Sequence, residues 1–339
     1  MKTVPLGRSP LRIPCLGLGA VPFGREIDEP SSWDILDYAI AHGVNLIDTA
    51  EAYGGGNARQ SRQKAYKVDD VREMSDEMHS SEKIVGRWMK ARQSRDRVMI
   101  CTKFNTGGTR DQVKHSLRDS LTRLQTDRVD IYMLHCSFPN VAIRETLEAL
   151  TAEVQAGRIR TIGCSNFSAA QLREAQQTAE LHGLARMNST QPSFSLAEAG
   201  ARHDLLPYCQ QEEIATITYS PLAAGFLSGK YSSGGSIPKG TRFDISPAHI
   251  DVYFSEQNFR VVKNLRALSI ETGEPMTKLA MAWVIQHPGV SAVLVGARQR
   301  SHLDNALAAS AHPLDPALIA RMSAWLEVKL AAEDATSSK

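Results

Sequence analysis

Asp48 and Tyr53 lie five residues apart in Ile47-Asp48-Thr49-Ala50-Glu51-Ala52-Tyr53-Gly54-Gly55-Gly56, where an apolar run meets a polar, glycine-rich turn. A carboxylate and a phenol so placed suggest proton transfer. Tyrosine is a poor proton donor near neutrality because its ordinary pKa is about 10, so a catalytic tyrosine requires neighbours that stabilise its anion. Two more ionisable residues end apolar runs in the same way: Lys103 in Cys101-Thr102-Lys103 and His135 in Met133-Leu134-His135. An ammonium beside the phenol lowers its pKa, each unit being worth about 1.4 kcal/mol. Asp48 would hold Lys103 in place and charged. Tyr53 would then exchange a proton with a carbonyl or alcohol oxygen, and His135 would donate a hydrogen bond to that oxygen. Singly, each has an ordinary structural reading: a turn Asp, a solvated Lys, a core His. Only a fold that gathers them supports the chemistry.

The elements that would gather them follow from periodicity. Short apolar or β-branched runs mark strands at Ile13–Ala20, Val44–Ala50, Arg97–Phe104, Val129–Cys136, Arg160–Asn166, Met187–Gln191, Ile214–Ser220 and Ser291–Gly296. Between them, apolar residues recurring at three and four mark helices at Trp33–Ala41, Val113–Leu124, Ile143–Ala156, Ala169–His182 and Met276–Gln286, with another beginning near Ser81. Ser31-x-x-Asp34, Thr109-x-x-Gln112, Ser168-x-x-Gln171 and Ser301-x-x-Asp304 resemble capping boxes, and Gly43, Gly157 and Gly183 supply stops. Eight strands alternating with helices predict a (β/α)8 barrel, an α/β fold of TIM-barrel type. An open doubly wound sheet is the alternative, but no GxGxxG follows an early strand. In the barrel, the C-terminal ends of all strands share one rim, and Asp48, Tyr53, Lys103 and His135 fall on it.

A proton relay without a nucleophile or metal needs an electron carrier. Ser165, Asn166 and Gln191 end the fifth and sixth strands with groups that match a carboxamide such as that of nicotinamide. Tyr219, ending the seventh, is placed to stack on such a ring. Beyond it, Ser220-Pro221-Leu222-Ala223-Ala224-Gly225-Phe226-Leu227-Ser228-Gly229-Lys230 offers close backbone approach and a cation for a pyrophosphate. Val295-Gly296-Ala297-Arg298-Gln299-Arg300-Ser301-His302 runs from the last strand into a helix N-terminus with two arginines, which suits a phosphate.

Composition excludes other classes. The 339 residues carry a formal charge of +2 with 42% hydrophobic and 22% charged residues, and no basic run is interleaved with aromatics. Nucleic acid and membrane partners are therefore not expected, and no stretch has transmembrane length or a signal-peptide core. A cytoplasmic protein is expected. Five cysteines without CxxC spacing read as structural thiols, and no metal site is expected. Residues 1–331 read as one barrel domain and 332–339 as a flexible tail. Two long loops leave the rim: 223–254, rich in Gly, Ser and Pro, and the insertion 57–80, which carries five Lys/Arg and five Asp/Glu. The insertion reads as a mobile surface loop, or alternatively as a lid or oligomer contact. Phe23, Trp88 and Phe138 are candidates for an aromatic pocket wall or for plain packing.

Taken together, LGLGAVPFG, DTAEAYGGG, SEKIVGRWMK, ICTKF, DIYMLH, IGCSNFS, TYSPLAAGFLSGKY and VLVGAR resemble the aldo-keto reductase family, in its order and over nearly the whole chain. The resemblance implies a (β/α)8 barrel that binds NADPH in extended form without a Rossmann domain. It implies a tetrad of Asp48, Tyr53, Lys103 and His135, with Tyr53 as general acid in the reduction of a small-molecule aldehyde or ketone to the alcohol. Ser165, Asn166 and Gln191 correspond to the family's nicotinamide contacts and Tyr219 to its stacking residue. Ser220, Pro221, Leu222, Gly225, Leu227, Lys230, Gly296, Ala297, Arg298 and His302 complete the expected cofactor site. The chain departs from the family's pattern in the insertion and at His302, where Gln or Arg is usual. Arg298 and Arg300 favour NADPH over NADH. The rival functions are a cofactor-binding regulatory subunit with little turnover and a barrel isomerase or lyase acting on a phosphorylated sugar. Oligomeric state and substrate are left open.

Overall fold

A computed structural model describes residues 1–55, 73–245, 247 and 250–327. Two short antiparallel strands, β1 (Thr3–Pro5) and β2 (Arg12–Pro14), precede a closed barrel of eight parallel strands. The barrel strands are β3 (Leu16–Gly19), β4 (Leu46–Asp48), β5 (Met99–Phe104), β6 (Val129–Leu134), β7 (Ile159–Ser165), β8 (Met187–Gln191), β9 (Ala215–Thr218) and β10 (Ala292–Gly296). They pair in chain order, and β10 closes on β3 with Val293 opposite Leu16. The (β/α)8 barrel expected from the alternation is the fold observed.

The described helices are α1 (Glu29–Ala41), α2 (Ser80–Arg92), α3 (Arg110–Leu124), α4 (Ile143–Gln155), α5 (Ala169–His182), α6 (Leu205–Gln211), α7 (Arg242–Ile245), α8 (Ile250–Tyr253), α9 (Glu256–Thr272), α10 (Met276–Gln286), α11 (Arg300–Ala311) and α12 (Pro316–Ala324). Among the described residues, no helix is long and apolar enough to cross a membrane.

The expected first strand, Ile13–Ala20, is two pieces divided at Cys15. Ile13 belongs to the hairpin, and only Leu16 onward joins the barrel. Ile13 packs with Leu6, Leu11, Leu46, Ile131, Ala215 and Ala292, so the hairpin closes the barrel at the end where its strands begin. A second, larger core lies between the barrel and its helices, where Ile47, Ile100, Leu134 and Ile162 meet Trp88, Leu117, Leu150 and Trp283.

Two of the four expected capping boxes form. Thr109 caps α3 with Gln112, and Ser168 caps α5 with Gln171. The other two are corrected. α1 starts at Glu29, because Asp28 takes the Ser31 amide and Pro30 suits the first turn. α11 starts at Arg300, so Ser301 lies inside it, and Gln299 makes no side-chain cap.

Candidate active site

Each expected tetrad residue sits where a barrel strand gives way to its loop. Asp48 is the last residue of β4, Lys103 lies one residue before the end of β5, and His135 directly follows β6. Glu51 N donates to Lys103 O at 3.0 Å and His135 N to Phe104 O at 2.9 Å, so neighbouring strand exits are stitched together.

The side chains converge. Lys103 Nζ donates to Asp48 Oδ2 at 2.7 Å, to Thr49 O at 2.9 Å and to Tyr53 Oη at 3.3 Å. The Tyr53 and His135 rings meet edge to face with centroids 5.6 Å apart. Lys103 is 0% exposed and Asp48 only 2%, so the ammonium depends on that carboxylate to stay charged. Burial, the largest single influence, disfavours the cation, but Asp48, Tyr53 and Cys101 together outweigh it and the Lys103 pKa is raised.

The phenol and the imidazole do not both behave as sequence logic predicts. Lys103 does pull the Tyr53 pKa down, but burial pushes it up and wins, so the phenol is held above its ordinary value. Tyr53 is therefore kept in its acid form, the form that delivers a proton. Burial, reinforced by Lys103, pushes His135 down to about 3, so its imidazole is neutral at physiological pH. Its buried Nδ1 has no hydrogen-bond partner among the described residues, which leaves a polar atom unsatisfied on a ring that meets the phenol edge to face.

The residues assigned to a carboxamide also meet. Ser165 Oγ donates to Gln191 O at 2.9 Å, Asn166 Nδ2 to His135 O at 2.9 Å, and Tyr219 Oη to Asn166 Oδ1 at 2.8 Å. Asn166 holds a left-handed backbone at φ 59°. Gln191 does more than its expected role, since its Nε2 donates to Asp48 Oδ1 at 2.8 Å and to Met133 Sδ at 3.9 Å, so that its Oε1 remains for a ligand. Burial, with the Glu198 charge, pushes the Tyr219 phenol up to about 12.

Further round the rim, Ser220, Ala223, Ala224 and Gly225 have φ of 56°, 50°, 55° and 88°. Non-glycine residues so placed are strained, and the turn closes on itself, with Ala223 N donating to Ser220 O at 2.8 Å and Gly225 N to Leu222 O at 2.9 Å. Lys230 reaches this turn: a Cβ built on Gly225 would lie 3.2 Å from its Nζ. Leu227 and Ala297 are buried, while Gly296 and Arg298 are exposed. Arg298 N donates to His302 Nδ1 at 3.2 Å, and burial, Arg298 and Lys230 together lower the His302 pKa, so the three side chains surround one spot. The uncapped first turn of α11 lies beside it. The tight turn, the cations and the side-chain amides of Asn166 and Gln191 are chemically suited to a pyridine dinucleotide.

One expectation is corrected, and for Phe23, Trp88 and Phe138 packing is the reading that holds. Arg300 does not face this spot. Its guanidinium pairs with Asp34 of α1, with Nε at 2.9 Å, and lies over the Tyr38 ring at 5.2 Å. Trp88 belongs to the outer core and donates its indole N–H to Asp37 at 2.8 Å. Phe23 is 0% exposed and packs in the core, and Phe138 stacks on Phe104.

Gly54 and Gly55 hold the chain close behind the tyrosine. At φ 81° and 86° they let the chain at 77–80 approach so closely that a Cβ would lie 1.8 Å from Ser80 Oγ or 2.5 Å from Glu77 O. Gly56, residues 57–72 of the insertion and the expected tail at 332–339 lie outside the described residues. Of the cysteines, Cys101, Cys164 and Cys209 are buried, Cys15 is half-buried and Cys136 is exposed. Sequence spacing did not point to Glu51, whose buried Oε1 accepts from Asn105 N at 2.6 Å and Thr106 N at 3.0 Å. Its one visible signal was a lone carboxylate among the small residues before Tyr53.

Comparison with known proteins gives this rim a lineage. The model of the "Aldo/keto reductase family" matches residues 15–327. The chain is 30% identical to "Aldo-keto reductase YhdN" of Bacillus subtilis, over 85% of this chain and 82% of the relative. It is 29% identical to "Uncharacterized oxidoreductase YrpG" of the same organism, over 93% and 92%. It is also 30% identical to the "Probable voltage-gated potassium channel subunit beta" of Arabidopsis thaliana, over 91% of each.

Proposed function

The chain belongs to the aldo/keto reductase family of NAD(P)H-dependent oxidoreductases, and from that premise we propose that it reduces an aldehyde or ketone to the alcohol with NADPH, Tyr53 being the general acid. The observation that carries the reading is the contact of Lys103 Nζ with both Asp48 and Tyr53 in a buried setting. The nicotinamide supplies the hydride when bound. Ser165, Asn166 and the Gln191 Oε1 are placed to hold its carboxamide, Tyr219 to cover its ring, and the Ser220–Lys230 turn to take its pyrophosphate.

The protein's own part is binding, orientation and one proton. A carbonyl oxygen seated between Tyr53 and the neutral His135 would accept hydrogen bonds from both. As negative charge grows on that oxygen, the phenol gives up its proton, and Lys103 stabilises the phenolate left behind. Burial keeps water from competing for that proton. Run in reverse, the phenolate takes a proton from an alcohol. Arg298 with Lys230 and His302 favours the 2′-phosphate of NADPH; its exposed guanidinium lies 3.5 Å from Glu26 and would exchange that loose pair for the phosphate, whereas Arg300 is committed to Asp34.

A second reading, a cofactor-binding subunit with little turnover that regulates a partner, draws on the similarity to the plant potassium channel β subunit. Absorbance at 340 nm with NADPH and a panel of aldehydes and ketones separates the two. Steady oxidation of NADPH supports the reductase; tight NADPH binding without turnover on any carbonyl supports the regulatory subunit.

A further inference from the structure

The turn that carries Tyr53 is held by contacts outside the tetrad. Gly54 O accepts from His79 N at 3.1 Å, Tyr53 O from Ser81 N at 3.4 Å, and Glu73 Oε1 from Gly55 N at 2.8 Å. The His79 ring Nδ1 makes a hydrogen bond with the Glu51 carbonyl oxygen. A carbonyl only accepts, so Nδ1 carries the proton. Glu51 is thereby tied three ways, by its amide to Lys103 O, by its carbonyl to His79 and by its carboxylate to the two amides that follow β5.

The chain leading to His79 is itself anchored. Met74 N and Ser75 N donate to Gly24 O, and Glu77 pairs at 2.9 Å with Arg87, which also pairs at 2.7 Å with Glu29 of α1. His79 occupies a left-handed backbone, φ 58° and ψ 35°, just before α2. Histidine and asparagine tolerate that conformation better than most residues. Past Glu51, whose amide still donates to Lys103 O of β5, the tyrosine turn has left the sheet, and these contacts hold its backbone.

We propose that His79 is a positioning residue: its imidazole N–H, donated to the Glu51 carbonyl, fixes the Tyr53 turn against the exit of β5 and so sets the phenol against Lys103. The proposal rests on the reading of Tyr53 as proton donor. Anchored chain carried by the insertion thus acts on the proton donor itself, separately from any contact with substrate.

The test uses the full chain and three variants. His79→Gly keeps the left-handed backbone and removes the donor, His79→Asp turns an acceptor toward the carbonyl, and His79→Asn keeps both backbone and donor. Three readouts apply: kcat and KM with NADPH and 4-nitrobenzaldehyde, NADPH affinity by fluorescence, and the Tyr53 ring resonance in 13C-tyrosine protein, assigned by its loss in Tyr53→Phe. His79→Gly and His79→Asp are expected to lower kcat about 10- to 100-fold, the scale of a displacement near 1 Å, with NADPH affinity within about twofold. Their Tyr53 resonance shifts or broadens, and His79→Asn recovers both signals to within about threefold of wild type. Wild-type kcat and resonance in His79→Gly or His79→Asp, or an Asn variant as impaired as the Gly one, overturns the proposal. The resonance needs no turnover. An inactive wild type would therefore refute the reductase reading, while the spectrum still decides whether His79 holds the turn.

Discussion

Gln191 donates its side-chain amide to Asp48 Oδ1 at 2.8 Å while Lys103 donates to Asp48 Oδ2 at 2.7 Å, so one carboxylate joins β4, β5 and β8 across the barrel mouth. Both oxygens are occupied, and the carboxylate is fixed in rotation as well as in place. The proposed proton site and the proposed carboxamide site therefore share a member.

Replacing Gln191 by Leu removes the donor to Asp48 Oδ1 and leaves a buried carboxylate oxygen unsatisfied. The expected loss of stability is about 1–3 kcal/mol, read from urea unfolding. Cofactor affinity and kcat should fall together, because the same amide group serves both. Unchanged stability and unchanged kcat would show that the hydrogen bond is idle.

Arg298 and Arg300 should separate cleanly. Arg298→Ala is expected to raise the NADPH dissociation constant about 10- to 100-fold, the worth of one charge-assisted contact, and to leave NADH within about twofold. Arg300→Ala breaks an exposed pair with Asp34 and should leave both cofactors within about twofold. Fluorescence titration with the two dinucleotides measures each. An equal loss of NADPH affinity in Arg300→Ala would mean that this pair opens toward the phosphate.

His135 makes a pH prediction with a definite sign. Its pKa is about 3 in the folded chain against an ordinary 6.5, so the unfolded state binds the extra proton between those values. Stability is then complete above pH 6.5 and is lost as pH falls toward 3. Between pH 7 and 5 this residue should cost about 2 kcal/mol, from 1.5 pH units at 1.36 kcal/mol each. A His135→Gln protein should lack that part of the slope in urea unfolding followed against pH. Parallel pH profiles for the two proteins would contradict it.

The fold was readable because the strands are short apolar runs at regular spacing, and Met187–Gln191 and Met276–Gln286 have the bounds that periodicity predicts. The tetrad was readable because the barrel rule turns four strand ends into one place. What could not be read is direction. Arg298 and Arg300 are two residues apart, but Arg298 lies 3.5 Å from Glu26 and close enough to His302 to lower its pKa, whereas Arg300 meets the Asp34 carboxylate of α1, each carboxylate lying in a distant part of the sequence. Trp88 is apolar at a helical position, a pattern that does not distinguish a pocket wall from the outer core where Asp37 receives its indole. The net rise of the Tyr53 pKa was hidden for a similar reason. Lys103 is visible as a charge, whereas the burial that outweighs it belongs to the assembled barrel. His79 shows no signal at all until the chain at 73–81 is seen packed on Gly54 and Gly55.

The most direct test of the central claim is Tyr53→Phe, which deletes one oxygen and keeps the ring beside Lys103 and His135. NADPH binding, followed by quenching of protein fluorescence, should stay within about threefold of wild type while kcat for carbonyl reduction falls by about 10²- to 10⁴-fold, the ordinary contribution of a positioned general acid. Turnover within a few-fold of wild type, with the same substrate and cofactor, would contradict the assignment of Tyr53 as the proton donor.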